Sequence, residues 1–154
     1  MARLGHWIDP RPEGIYVPVA DIWIDPSRPK DRALVTHGHA DHARGGHGAV
    51  WATAETLAIM EVRYGPQSAN PVTYGEPVMF GEVSARFGPA GHVLGSAQIV
   101  LEYAGETIVI SGDYKRRPDP TCPSFEPVPC DIFITEATFG LPVFRHPDTA
   151  DEIT

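Results

Sequence analysis

Cysteine is scarce in this chain, and so is positive charge. The 154 residues hold two cysteines, Cys122 and Cys130, on either side of a proline-rich loop. Two thiols are too few for a secreted disulfide framework, and their separation, with no second pair, is not zinc-finger spacing. Reduced structural thiols are expected. Twelve Lys and Arg stand against twenty Asp and Glu, a net charge of −8. That balance argues against holding nucleic acid by general electrostatics. It does not exclude cutting nucleic acid, because a bound divalent metal supplies local positive charge. No apolar run approaches the roughly 20 residues of a membrane span, and no long apolar stretch follows a basic start as in a signal peptide. The expectation is a soluble, cytoplasmic protein with no membrane partner.

Glycine (15) and proline (16) are abundant and spread along the chain. Such punctuation suits short strands joined by turns better than a helical bundle. The length suits one domain with a real core. Residues 1–12 read as a turn-like lead-in ending in Asp9-Pro10-Arg11-Pro12. Strands are expected in "GIYVPV", "ADIWI", "ALVT", "VWA", "VTY", "PVMF", "VSARF", "AQIVLEY", "TIVIS" and "DIFIT", from their Val, Ile and aromatic content. The "ALVT" strand, Ala33 to Thr36, should be central and covered on both faces. "AQIVLEY" and "TIVIS" form a hairpin by spacing, with the second arm inside a sheet. One helix is expected from Ala54 to Tyr64, capped by Thr53, stopped by Gly65-Pro66, with Leu57, Ile59, Met60 and Val62 as its apolar positions. A second helix starts at Asp148 or Thr149.

Histidine is the unusual residue. There are seven, and four of them fall between positions 37 and 47. The run Thr36-His37-Gly38-His39-Ala40-Asp41-His42 follows a strand directly, so it sits on a loop at a strand end, where sheet proteins carry chemistry. Imidazole is a common ligand for zinc and related ions, and carboxylates can bridge between metals. Two later strand ends add ligand-type residues: "TIVIS" leads to Asp113, and "DIFIT" leads to Glu136. His92 lies between glycines in Gly91-His92-Val93-Leu94-Gly95. Two ions fit this set better than one. His37, His39, His92 and Asp113 would hold the first. Asp41, His42 and a bridging Asp113 would hold the second. A pair of ions suits phosphoester hydrolysis, because it lowers the pKa of water and stabilises charge on the attacking and leaving oxygens.

These residues resemble the metallo-β-lactamase fold. "THGHADH" is similar to its His-x-His-x-Asp-His signature, and His92 in "GHVLGS" and Asp113 in "SGDY" to its later ligands. Asp25 in "WIDP" resembles its early strand-end aspartate, which implies a residue that orients the site from behind the ligands. "TEATFG" at Thr135–Gly140 is similar to the acidic motif that opens the β-CASP insertion of the nucleic-acid-processing branch. "GHVLGSAQI", "SGDYKRRPDPTCPSFEPVPCD" and "TEATFGLP" look most like DNA-ligase-associated exonucleases, relatives of the mRNA 3′-end-processing nucleases.

The resemblance implies an α/β fold, the N-terminal half of an αββα sandwich. Residues 1–154 would be the N-terminal part of a metallo-β-lactamase domain, ending where a β-CASP insertion starts. It implies two divalent ions, zinc with manganese as the alternative. It implies a metal-dependent phosphodiester hydrolase, an exonuclease on DNA in ligase-linked repair, functionally linked to a DNA ligase. Asp41 would also orient the attacking water, and Glu136 would support a histidine supplied by the later half of the domain. Neither His47 nor His146 has the context of that histidine, and with His6 they read as surface residues. Lys115-Arg116-Arg117, directly after Asp113, would contact the nucleic-acid backbone. The alternatives are an RNA-processing nuclease of the same branch, a thioester or lactone hydrolase on the same metals, and an inactive fragment or binding partner.

Overall fold

Eleven strands and one helix make up the described part of the chain, in two sheets. The structure is a computed structural model and describes residues 5–138, 140 and 141. The expected helix start at residues 148–149, and His146, lie outside the described residues.

The first sheet has six strands in sequential order: β1 (Asp9–Arg11), β2 (Gly14–Val17), β3 (Ile22–Ile24), β4 (Arg32–Leu34), β5 (Ala49–Thr53) and β6 (Ala69–Val72). β1, β2 and β3 pair antiparallel, and β3 through β6 pair parallel. The second sheet has the order β11 (Ile132–Ile134), β10 (Glu106–Ile110), β9 (Ala97–Tyr103), β8 (Val83–Pro89) and β7 (Pro77–Phe80). It is antiparallel except for β10 and β11, which run parallel. The mixed α/β class is as expected, and so are the central position of β4 and the inner position of β10.

One apolar core lies between the sheets. Ile22, Ile24 and Leu34 of the first sheet cluster with Phe87, Ile99, Leu101, Ile108 and Ile110 of the second. β8 shows why: its burial alternates residue by residue, the signature of a strand with one face on the core. The helix α1 (Ala54–Tyr64) forms a third layer, in a smaller core of Val35, Ala43, Val50, Ala52, Leu57 and Met60. Its boundaries match the sequence. The Thr53 side chain accepts a hydrogen bond from the Thr56 N–H, and the Gly65 N–H closes the helix on the Glu61 carbonyl with φ +81.

Two expectations need correction, and one apolar helix position lies off the core. Asp9-Pro10-Arg11 is a strand, not a turn; Pro10 is tolerated because β1 is the sheet's edge, where a missing N–H costs no ladder bond. Val62 does not face the core and is 91% exposed. The buried stripe is Thr56, Leu57 and Met60, and position 62 lies two residues past it, turned by about 200° at 3.6 residues per turn. His47 is not a surface residue: it is buried, and its Nδ1 accepts the Lys30 N–H at 3.2 Å.

Candidate metal centre

The strand directions decide where the ligand-type residues meet. β3 and β4 run parallel, so Asp25 and the Thr36–His42 loop leave the first sheet at the same edge. β10 and β11 run parallel, so Asp113 and Glu136 leave the second sheet at one edge. β9 is antiparallel to β10, so the His92 turn before β9 arrives beside the end of β10. A single backbone bond ties the two sheets there: the Ala97 N–H donates to the Thr36 carbonyl at 2.7 Å.

The His92 turn is held from several sides. Ser96 Oγ accepts the His92 and Val93 N–H groups at 3.0 and 3.2 Å. Thr53 and Thr56 at the start of α1 donate their hydroxyls to the Gly95 carbonyl at 2.7 and 3.2 Å. Gly91 has φ +67, and a Cβ there would lie 2.5 Å from the Lys115 carbonyl oxygen. Glycine is therefore what lets this turn lie against the segment that follows Asp113.

His37, His39, His92 and Asp113 each offer one ligand atom, and these four atoms lie within 4.8 Å of one another. Asp113 Oδ2 stands 3.7 Å from His37 Nε2 and 3.6 Å from His92 Nε2. His92 Nε2 lies 3.3 Å from His39 Nδ1. The other carboxylate oxygen of Asp113 turns elsewhere: Oδ1 is 3.4 Å from His42 Nε2. His42 Nε2 in turn lies 3.7 Å from Asp41 Oδ2. So the chain places the six expected ligand residues in two adjoining groups that share Asp113.

Electrostatics separate the two groups. Burial pushes His37 down to about 2, reinforced by the neighbouring His42, His39 and His92 rings. Burial also lowers His92. Both imidazoles are thus neutral near pH 7, the form that ligates metal. For His42, burial acts downward but is outweighed by the hydrogen bond and charge of Asp25, then by Asp113 and Asp41, and its pKa rises to about 8. His42 Nδ1 lies 2.8 Å from Asp25 Oδ2. A carboxylate accepts, so Nδ1 carries the proton and Nε2 faces Asp41 and Asp113.

The donor set fits a metal ion on one further count. His37 Nε2 is buried with no hydrogen-bond partner among the described residues. A buried polar atom without a partner costs about 1–3 kcal/mol, and a metal at the cluster would satisfy it.

Asp25 is held in the left-handed region at φ +44. Its Oδ1 accepts the Thr36 N–H at 2.8 Å, and its Oδ2 accepts the Thr36 hydroxyl at 2.6 Å. Glu136 lines the same cleft of about 260 Å³ as Asp25, Asp41, His42 and Asp113. Its Oε1 accepts the Tyr114 N–H at 3.1 Å, and Oε2 accepts the Thr138 hydroxyl. Of the basic run, Lys115 pairs with Asp119 at 3.0 Å, and exposed Arg116 lines a depression with Tyr114 and Glu136. Thr36 was missed by sequence reasoning. Its hydroxyl lies 3.0 Å from His37 Nδ1. Only its place beside His37 could have flagged it, and a threonine at a strand end is ordinary.

Two sheets with a His/Asp cluster at their shared edge are the α/β arrangement that the resemblance to the metallo-β-lactamase fold implies. No family model matches the chain. Relatives do. A protein of Opitutus terrae named a probable DNA ligase is 31% identical over 140 residues, covering 89% of this chain and 14% of its own. A ribonuclease of Thermus thermophilus is 33% identical over 153 residues, covering 79% of this chain and 34% of its own. An endoribonuclease of Gibberella zeae is 32% identical over 149 residues, covering 72% of this chain and 18% of its own. The chain is a homologue of these proteins, and the resemblance to the β-CASP nuclease branch of the metallo-β-lactamase fold is borne out. It spans no more than about a third (34%) of the length of the relatives it matches here. Among the described residues no helix is long and apolar enough to cross a membrane.

Proposed function

We propose that this chain carries the metal centre of a metal-dependent nuclease, as the N-terminal part of a metallo-β-lactamase domain with a β-CASP insertion after Glu136. The observation that carries the reading is the convergence of His37, His39, His92 and Asp113, with the second oxygen of Asp113 turned to His42. The names of the relatives support a nucleic-acid substrate.

The residues fall into roles. His37, His39, His92 and Asp113 would hold one divalent ion, and Asp113, His42 and Asp41 a second. Zinc is the proposed metal, since the first set is rich in imidazole. When bound, such ions act as Lewis acids on phosphate oxygens and lower the pKa of water. Asp41, with its side chain 76% exposed, can take up the proton of an attacking water and orient it. Asp25 fixes the proton of His42 on Nδ1. Glu136 holds the Tyr114 N–H and so steadies the segment leaving Asp113. Lys115, Arg116 and Arg117 are the proposed contacts for the substrate backbone, and Lys115 pairs with Asp119 at 3.0 Å.

On strand type, the ribonuclease names support RNA, and the ligase-named relative supports the DNA exonuclease reading. The test is cleavage of matched DNA and RNA strands by the product of the complete reading frame, with and without His39→Ala. Metal-dependent cleavage of one strand type, lost in His39→Ala, is expected. Equal cleavage by both proteins would overturn the metal-nuclease reading.

A further inference from the structure

Thr36 touches every strand end that brings a residue to the first ligand group. Its N–H and hydroxyl both bond Asp25, at the end of β3. Its hydroxyl faces the Nδ1 of His37, the next residue. Its carbonyl accepts the Ala97 N–H, at the start of β9 and just past the His92 turn. Gly112, the residue before Asp113, has φ +55, and a Cβ there would lie 2.7 Å from Thr36 Cβ and Oγ1. Thr36 is itself fully enclosed.

The hydrogen-bond directions around the hydroxyl follow from counting protons. Asp25 is a carboxylate and can only accept, so the single hydroxyl proton of Thr36 points to Asp25 Oδ2 at 2.6 Å. Toward His37 the hydroxyl has only a lone pair left. At 3.0 Å it must accept, so the proton of His37 sits on Nδ1 and the lone pair on Nε2. That is the nitrogen with no hydrogen-bond partner among the described residues, 3.7 Å from Asp113 Oδ2.

We propose that Thr36 is a positioning residue for the metal centre: its hydroxyl relays Asp25 to His37 and fixes His37 with Nε2 unprotonated and aimed at the ligand cluster. Its side chain also sets how closely the Gly112–Asp113 segment approaches His37. The inference rests on the metal-centre reading above. Partners that fix a ligand's tautomer typically change metal affinity by about 10–100-fold when removed.

The test compares the parent chain with Thr36→Val, which keeps the shape and removes the hydroxyl, and Thr36→Ser, which keeps the hydroxyl. Zinc affinity is read by competition with a chromophoric chelator. The tautomer of His37 is read from imidazole ¹⁵N shifts in the metal-free chain. Thr36→Val should bind zinc about 10–100-fold more weakly, while Thr36→Ser should stay within about threefold of the parent. The parent spectrum should place the His37 proton on Nδ1. Equal zinc affinity in folded Thr36→Val, or a parent spectrum with the proton on Nε2, overturns the proposal. The spectrum decides it even where the valine variant does not fold. A parent chain that takes up no zinc sinks the metal-centre reading instead, and the His37 spectrum still judges the role of Thr36.

Discussion

The two ligand groups differ in how they are enclosed. His37 is fully buried and neutral, with His39, His92 and Asp113 around it, and their supports come from both sheets. The second group is open on one side. Asp41 is 76% exposed in its side chain, and His42 is held at its far nitrogen by Asp25, with its pKa raised to about 8. In the first group His37 and His92 are neutral near pH 7. The other carries a proton on His42, whose pKa is raised to about 8, and shares its cleft with Asp25 and Glu136. The lesson is that one loop of six residues feeds two ligand groups that differ in enclosure and charge, joined by the two oxygens of Asp113.

The strongest way to break the comparison is to remove what the groups share. Asp113→Ala should abolish binding at both, with zinc affinity down more than about 100-fold, beyond the range for an outer partner. A chelator competition assay that still finds one tight site would mean that the three histidines suffice and that Asp113 does not join the groups.

Gly112→Ala strikes the approach of the second sheet to the first. The added Cβ meets Thr36 at 2.7 Å in a backbone at φ +55. A loss of about 2–3 kcal/mol in folding stability is expected from positive-φ strain plus the clash, read by denaturant melts with chelator present. A loss below about 0.5 kcal/mol would mean that the two sheet ends are not closely coupled.

The pH response has opposite signs in the two groups, and its alkaline side is the smallest of these effects. His42 has its folded pKa raised from 6.5 to about 8, so its protonated form stabilises the metal-free fold fully below pH 6.5. That stability is lost as pH rises through about 8, on the order of 1 kcal/mol after allowing for partial exposure. His37 has its pKa lowered from 6.5 to about 2, so the unfolded chain takes the proton first and stability falls as pH drops below 6.5. Metal-free melting should therefore peak near pH 6.5 as far as these two groups govern it. His42→Ala should flatten the alkaline side. An unchanged alkaline slope in that variant would contradict the charge assigned to His42.

Much of this was legible in the sequence, for physical reasons. The helix announced itself through Thr53 and Gly65, because caps are local chemistry. The ligand residues stood out because histidines at this density follow a strand directly. β1 was missed because Pro10 argues against a strand everywhere except at an edge, and an edge is known only from the pairing. His47 misled because its burial depends on packing between distant segments. Thr36 was invisible as a functional residue because its partners lie on strands far apart in sequence, Asp25 on one side and Gly112 on the other. Which elements form is mostly local. Which residues steady the site depends on how two sheets meet.

The central claim is that His37, His39, His92 and Asp113 hold a metal ion. The most direct measurement is zinc retained per chain after loading and gel filtration in a weak chelator, for the parent and His39→Ala. The account predicts at least one equivalent on the parent and almost none on the variant. Equal retention by the two, or none on the parent, would contradict it.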